Sequence, residues 1–378
     1  MNIEIPAHVL RLIERLNENG CEAFIVGGCV RDAALGLVPN DWDICTDAAP
    51  DAIKRCFEDS RLIETGIRHG TVTVLSDGIP VEITAYRVDG EYRDHRRPES
   101  VLFTRSLQED LARRDFTINA IAYHPKIGTA DPFGGLADLG RSVLRCVGDA
   151  NDRFMEDALR ILRAIRFVSR FILQLEPETE KALFRHRGLL RFISRERIFA
   201  ELSGMVFSAV DNRFLPVFQE IIPELEAIDV DGDLPRIPEI QFAVLLKGLD
   251  AGGILRRLKA GNALIKWVSE LAFNRERTAG DVVSVRVLLR DIGVEAAEQL
   301  FILQKNTGAM KTLRDILVRG DCFSLRSLTI NGNDLMRIGF SGKAVGEALN
   351  CLLHEVIEGT LPNDRDALLI AASRQTHE

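Results

Sequence analysis

A chain of 378 residues is too long for one ordinary hydrophobic core, so we expect two to four domains. Its hydrophobic content of 46% and charged content of 28% are typical of a globular protein. No apolar run approaches the roughly 18 residues that span a bilayer, and the start of the chain lacks a signal-peptide pattern, which argues against a membrane partner and predicts a cytoplasmic location. Seven scattered cysteines without a C-x-x-C pair indicate neither a disulfide framework nor a zinc site.

The distribution of charge matters more than its sum. A net charge of −8 taken alone disfavours a nucleic-acid partner. Residues 141–197, however, carry thirteen Lys and Arg against eight Asp and Glu. Such a basic stretch can face a phosphate backbone, and a solvated helical surface is the alternative.

The first elements in the chain are a helix at residues 6–19 and a short strand at residues 24–26. The strand meets Gly27 and Gly28, and a helix follows over residues 30–35. Two glycines at a strand-to-helix turn allow the backbone to approach a phosphate, and Arg31 adds donors and positive charge. A plain tight turn is the alternative interpretation.

A carboxylate pair follows this turn. Asp41 and Asp43 are two residues apart, so on a strand both side chains point to one face. Two like charges held together favour a cation, and hard oxygen ligands suit Mg²⁺. A loop whose carboxylates cap backbone N–H groups is the alternative. A phosphate-binding turn beside a metal-binding pair indicates nucleotidyl transfer.

The order G-G-x-V-R-D and then D-x-D resembles the first motif of the nucleotidyltransferase superfamily that includes DNA polymerase beta. The branch it resembles is that of the class II, bacterial-type tRNA nucleotidyltransferases and poly(A) polymerases. In that superfamily a third acid on a neighbouring strand often completes the site. Two strands are predicted across the turn Asp77-Gly78, and Glu82 in the second strand is the candidate; an outward-facing edge residue is the alternative.

A long charged loop is predicted at residues 87–104, and a second motif follows it. The stretch R-R-D-F-T-I-N-A, which begins at Arg113, matches the family pattern almost letter for letter. Paired arginines can bind a triphosphate, and the resemblance favours Arg114 for that role and places Asn119 near the ribose. A third motif at residues 131–139 consists of turn-forming residues, for which we expect a structural, hinge-like role.

Residues 152–171 predict one amphipathic helix. Its polar residues Asp157, Arg160, Arg163 and Arg166 recur every third position, and they include the family's fourth motif, E-D-x-x-R. Cytosine and adenine both present an amino donor beside a ring-nitrogen acceptor, whereas guanine and uracil present the reverse. A carboxylate with a guanidinium three residues later can therefore accept C and A and reject G and U. Solvated arginines on an amphipathic helix are the alternative.

The remainder of the chain is predicted to be largely helical, without clear strands after about residue 172. The fold class is α+β: an N-terminal nucleotidyltransferase (DNA polymerase beta-like) mixed sheet with helices, followed by an all-helical C-terminal region. We expect a catalytic head at residues 1–148, a helical neck at 149–210, a helical body at 211–320 and a tail at 321–378 that contacts tRNA.

The resemblance is greatest to the CCA-adding enzymes. It implies template-independent addition of CCA to the tRNA 3′ end from CTP and ATP, with Mg²⁺ held by Asp41 and Asp43 and pyrophosphate released. An enzyme that adds only the terminal A and a poly(A) polymerase share the same head motifs. A non-catalytic RNA-binding protein is the alternative of a different class, and the intact site residues count against it. The sequence leaves the oligomeric state open.

Overall fold

The computed structural model contains two compact units, Met1–Asp229 and Val230–Glu378. It describes residues 3–90 and 100–375. The predicted charged loop lies partly outside the described residues, at positions 91–99. Its two ends, Arg87–Asp89 and Val101–Phe103, form an antiparallel strand pair, which the sequence analysis did not predict. The finer division into four domains stays a prediction.

The first unit combines strands and helices. Its strands are β1 (Ala23–Val26), β2 (Asp43–Thr46), β3 (Leu62–Ile63), β4 (Thr71–Ser76), β5 (Ile79–Ala85), β6 (Arg87–Asp89), β7 (Val101–Phe103), β8 (Ala122–His124), β9 (Gly128–Ala130), β10 (Val143–Leu144) and β11 (Gln174–Leu175). Its helices are α1 (Ala7–Glu18), α2 (Gly28–Ala34), α3 (Pro50–Cys56), α4 (Leu107–Ala112), α5 (Gly135–Gly140), α6 (Ala150–Glu156), α7 (Leu159–Phe171), α8 (Pro177–His186), α9 (Arg195–Ser203) and α10 (Leu215–Gln219).

A seven-stranded mixed sheet organises this unit, in the order β3-β4-β5-β2-β1-β8-β9. Strand β1 is antiparallel to both β2 and β8, and its four residues are all buried. Strand β2 runs parallel to β5, which places Asp43 directly opposite Glu82. Helix α1 buries Val9, Leu12 and Ile13 on one face, as its helical spacing predicts. The predicted mixed head is confirmed, and β2 begins at Asp43, so that Asp41 precedes the strand.

The predicted helix at 152–171 is wrong in one respect, because it is interrupted. Helix α6 ends at Glu156, and Asp157 adopts an extended backbone with φ −136° and ψ 102°. The Asp157 carboxylate then accepts the N–H of Leu159 at 3.1 Å at the start of α7. Aspartate competes for backbone donors at helix starts, while apolar periodicity continues across a break of one or two residues. The two-residue strand β11 also departs from the prediction of no strands beyond residue 172.

The third motif has a structural role in the fold. Gly134 adopts φ +74°, and Gly135 begins α5, where its N–H donates to the Asp131 carboxylate at 2.7 Å. Asp138 of the same helix is buried and accepts the Thr117 hydroxyl at 2.7 Å. These bonds tie α5 to the segment that carries the second motif. The motif therefore has a structural role: it packs α5 against the segment that carries the second motif.

We expect Gly135→Ala to destabilise the first unit by about 1–3 kcal/mol, as an overpacked core position does. A Cβ atom at Gly135 would lie 2.2 Å from the Thr117 carbonyl oxygen, a backbone atom that cannot rotate away. The midpoint of urea unfolding measures the change. Gly140→Ala in the same helix is the matched control, because open space surrounds that position and alanine favours helix. Equal midpoints for the two variants would contradict the expectation.

The second unit is helical throughout its described part. Its helices are α11 (Pro238–Leu245), α12 (Ala251–Arg257), α13 (Asn262–Asn274), α14 (Val282–Leu303), α15 (Thr307–Arg319), α16 (Gly332–Arg337), α17 (Lys343–Glu358) and α18 (Arg365–Gln375). A separate apolar cluster near the C-terminal end includes Leu335, Leu352 and Leu368, each fully buried. The predicted all-helical C-terminal region is confirmed. Within the described residues, none of the helices combines the length and apolar character needed to cross a membrane.

Candidate functional site

One cavity of about 580 Å³ in the first unit collects the residues that the motifs single out. It is lined by Gly27, Gly28, Arg31, Asp41, Asp43, Arg113, Arg114, Asp115, Asn119, Asp157, Leu159, Arg160, Arg163, Arg166, Phe167 and Arg197. The lining comes from four stretches of sequence: the segment from the end of β1 to the start of β2, the second motif, the segment from Asp157 through α7, and α9. Glu82 is the one predicted site residue outside this lining.

The turn at Gly27 has no room for a side chain, because Arg114 lies against it. Gly27 has φ +77°, and a Cβ atom there would lie 2.9 Å from a guanidinium nitrogen of Arg114. Its N–H is bonded to the Ile121 carbonyl at 3.0 Å, so the turn is anchored to the strand-like segment before β8. Glycine at this position thus allows the guanidinium of Arg114 to lie against the backbone.

Arg31 is held in place by several partners. Its Nε and Nη2 donate to Asp32 at 2.8 and 2.6 Å, and its Nη1 donates to the Asn119 side chain at 2.7 Å. Its guanidinium also lies 5.2 Å from the Phe167 ring and 4.7 Å from the Phe171 ring. Arg31 is 7% exposed. These contacts join α2 to α7, and the predicted contact of Arg31 with a phosphate stays a prediction.

The two arginines of the second motif share one buried carboxylate. Asp110 of α4 is fully buried and accepts from Arg113 Nε and Nη2 at 3.0 and 2.8 Å and from Arg114 Nη2 at 3.3 Å. Burial opposes the charge of Arg114, but the Asp110 carboxylate outweighs it and raises the pKa of Arg114. The sequence analysis did not single out Asp110 or Arg113.

Asp41 and Asp43 both line the cavity, although only Asp43 lies on strand β2, so strand alternation does not explain their common direction. Burial first, and then the charges of Glu82 and Asp41, raise the pKa of Asp43 to about 6, although Arg114 acts in the opposite direction. Such mutually repelling oxygen donors fit a divalent cation that keeps part of its water shell. Glu82 is exposed, and within residues 3–90 and 100–375 no three His, Cys, Asp or Glu residues are grouped closely enough to hold a metal ion. The role of Glu82 stays a prediction.

We expect Mg²⁺ binding to weaken as the pH falls, because the metal binds the carboxylate form and the pKa of Asp43 is raised to about 6. Isothermal titration calorimetry of the free protein from about pH 7 to about pH 5 would show a rising Kd for Mg²⁺. Asp43→Asn removes the titrating group and should remove this pH dependence together with most of the affinity. A Kd that does not change over this range would contradict the assignment.

A buried network connects the second motif to α7. Asp115 accepts from Arg163 Nε at 2.8 Å and from the Asn119 amide at 3.0 Å. Burial alone would raise the pKa of Asp115, but Arg163, Asn119 and Arg160 outweigh it and hold the pKa well below its ordinary value. Asn119 also accepts from Arg31, so both ends of its amide are engaged. Its predicted approach to the ribose stays a prediction.

The predicted base-reading residues reach the cavity, and the backbone N–H of Arg160 donates to the Asp157 carbonyl oxygen at 3.0 Å. Arg160 is 8% exposed and donates to Glu156 at 2.5 Å and to the carbonyl oxygens of Arg153 and Arg113 at 3.0 and 3.1 Å. Asp157 accepts from Arg197 Nη2 at 2.7 Å. Arg166 donates to Glu201 at 2.6 Å on the neighbouring helix α9.

Comparison with known proteins identifies the family to which this chain belongs. Residues 23–145 match the family described as Poly A polymerase head domain, and residues 240–372 match that described as tRNA nucleotidyltransferase domain 2. The CCA-adding enzyme of Ligilactobacillus salivarius (strain UCC118) is 34% identical over 392 residues, which cover 98% of this chain and 96% of that enzyme. This chain belongs to the family of CCA-adding enzymes.

Other members of the family agree with this assignment. The CCA-adding enzyme of Geobacillus kaustophilus (strain HTA426) is 33% identical over 98% of this chain and 97% of its own length. The crystal structure of the Bacillus stearothermophilus CCA-adding enzyme in complex with CTP superposes with a TM-score of 0.84 at 29% identity, over 99% of this chain and 98% of that one. The similarity extends through both units.

Sequence reasoning missed four polar or aromatic residues of the cavity: Arg113, Asp115, Phe167 and Arg197. The first two belong to a motif that was recognised, and their adjacency to Arg114 was the available signal. Phe167 follows Arg166 on α7 and reads as an ordinary core aromatic. Arg197 is forty residues from Asp157, and no local pattern links the two.

Proposed function

We propose that this protein adds CCA to the 3′ end of tRNA, using CTP and ATP and no nucleic-acid template, and releases pyrophosphate. The observation that carries the proposal is that Asp41 and Asp43 share one cavity with Asp157 and Arg160. A metal-binding pair and a base-recognition pair in one space are what repeated nucleotide addition requires. CCA-adding enzymes that match along nearly the whole chain support the proposal.

Members of this superfamily generally use divalent metals, and we propose that Asp41 and Asp43 hold Mg²⁺ here. When bound, Mg²⁺ would lower the pKa of the primer 3′-hydroxyl and stabilise the charge of the departing pyrophosphate. Arg114 lies beside the glycine turn, and we propose that it binds the triphosphate. Glu82 on β5 is the register partner of Asp43 on β2, and we propose that it assists from this neighbouring strand.

Nucleotide selection is proposed to rest on α7 and the break before it. A carboxylate at Asp157 accepts from the amino group of cytosine or adenine, and guanidinium N–H groups donate to the ring nitrogen. Arg163 and Arg166 are held by Asp115 and Glu201 on the same side of the cavity. We further propose that residues 321–378 form the tail that contacts tRNA, and that the protein acts in the cytoplasm.

The test uses tRNA transcripts that end before CCA, after C and after CC, each incubated with one labelled nucleotide at a time. Addition of two C residues from CTP and then one A from ATP is expected. Addition of A to the CC transcript alone would instead indicate an A-adding enzyme, and long A tails would indicate a poly(A) polymerase. Binding of tRNA without any incorporation would leave only an RNA-binding role.

A further inference from the structure

The carboxylate of Asp157 is already oriented by the protein. One oxygen accepts the Leu159 N–H at 3.1 Å, and the other accepts Arg197 Nη2 at 2.7 Å. Asp157 lies in the extended break between α6 and α7, so the backbone of a regular helix does not fix its direction. Arg197 is therefore the side chain that sets where the second oxygen points.

Arg197 comes from a different element, the first turn of α9. Its side chain is 25% exposed and lines the cavity. Within the described residues its Nη1 atom is buried and makes no hydrogen bond, an arrangement that normally costs about 1–3 kcal/mol. An unpaired donor beside an oriented acceptor is the pattern expected of a site that waits for a ligand.

Arg160 contrasts with Arg197 in this respect. Both of its Nη atoms donate to groups on α6 and in the second motif, namely Glu156 and the carbonyl oxygens of Arg153 and Arg113. Those side-chain contacts tie Arg160 to α6 and to the second motif, and its backbone N–H donates to the Asp157 carbonyl oxygen at 3.0 Å. Arg197, by comparison, contacts Asp157 directly and holds a second N–H next to that contact.

We propose that Arg197 is a positioning residue for nucleotide selection, an inference that rests on the proposed function. By bonding one carboxylate oxygen, Arg197 fixes the direction in which Asp157 accepts from the base amino group. So fixed, the carboxylate accepts from the amino group of cytosine or adenine and repels the carbonyl oxygen that uracil and guanine present at the same place.

The experiment measures kcat/KM for CTP and UTP on tRNA that ends before CCA, for the parent chain and for Arg197→Met. One hydrogen bond to a charged group corresponds to a change of about tenfold or more, so the CTP:UTP ratio is expected to fall at least about tenfold. Arg197→Lys keeps the charge but lacks the fixed fork of two N–H groups, and an intermediate ratio is expected. Thermal unfolding of each variant verifies that it is folded.

Arg195→Met is the matched control, because Arg195 lies on the same helix but does not line the cavity. It should keep the parental ratio. If Arg197 acts through Asp157, the ratio of the double variant Asp157→Asn/Arg197→Met should be no lower than that of Asp157→Asn alone. Parental ratios in both Arg197 variants, or additive losses in the double variant, would overturn the proposal. A parent chain that incorporates no nucleotide would instead contradict the proposed function.

Discussion

Replacing Asp41 or Asp43 with alanine is expected to abolish C addition and A addition alike, while tRNA binding survives. Both carboxylates line the cavity, and the raised pKa of Asp43, about 6, reflects burial beside other negative charges that a metal would neutralise. If these carboxylates hold the proposed Mg²⁺, removing one forfeits several kcal/mol of charge stabilisation, which corresponds to a loss in kcat of about 10³-fold or more. Single-nucleotide incorporation on tRNA ending in CC and on tRNA lacking CCA measures the two activities.

Binding of tRNA by each variant, measured by filter retention, controls for misfolding and should stay at the parental level. Glu82→Gln is the informative companion, because Glu82 is paired with Asp43 in register yet exposed and outside the cavity lining. A loss as large as that of the aspartate variants would support a third carboxylate in the site. Near-parental turnover of Asp41→Ala or Asp43→Ala at saturating Mg²⁺ would show that the metal is held elsewhere.

Replacing Asp115 with alanine is expected to lower the free energy of unfolding substantially, which is the second large effect that we predict. Asp115 is 8% exposed and accepts from Arg163 at 2.6 and 2.8 Å and from Asn119 at 3.0 Å. Its removal leaves the guanidinium of Arg163 without its main counter-charge, which typically costs about 3–5 kcal/mol. Urea unfolding followed by circular dichroism measures the change in free energy. Glu178→Ala breaks the exposed pair with Lys181 and should change it by less than about 1 kcal/mol.

The Asp115 carboxylate also contributes to the loss of folding stability at low pH. The pKa of Asp115 is held below its ordinary value by Arg163, Asn119 and Arg160, against the effect of burial. Its stabilisation is therefore complete above the unfolded-state pKa, near pH 4, and is lost as the pH falls toward the lower folded-state value. Asp115→Asn should be less stable than the parent at neutral pH and lose less on acidification. Parallel stability curves for the two proteins would contradict this account.

The sequence predicted the head, the helical remainder and most of the cavity lining because the motifs are local. Such patterns, for example a strand followed by two glycines, determine the backbone conformation and side-chain direction of only a few neighbouring residues. Asp115 and Arg197 were missed because their partners lie 48 and 40 residues away, at Arg163 and Asp157. The sequence did not reveal the break at Asp157, because the periodicity of apolar residues is judged over several helical turns and one extended residue barely disturbs it.

The arginines of the cavity have a kinetic consequence. Its lining contains seven arginines and four aspartates in a chain whose net charge is −8. Several of the arginines are fixed by internal partners, as Arg113 is by Asp110 and Arg166 by Glu201, so they face an incoming nucleotide without rearranging. A preorganised cluster of positive charge steers anions toward the cavity. Capture of nucleoside triphosphates should therefore be fast at low ionic strength and slow as salt screens the field.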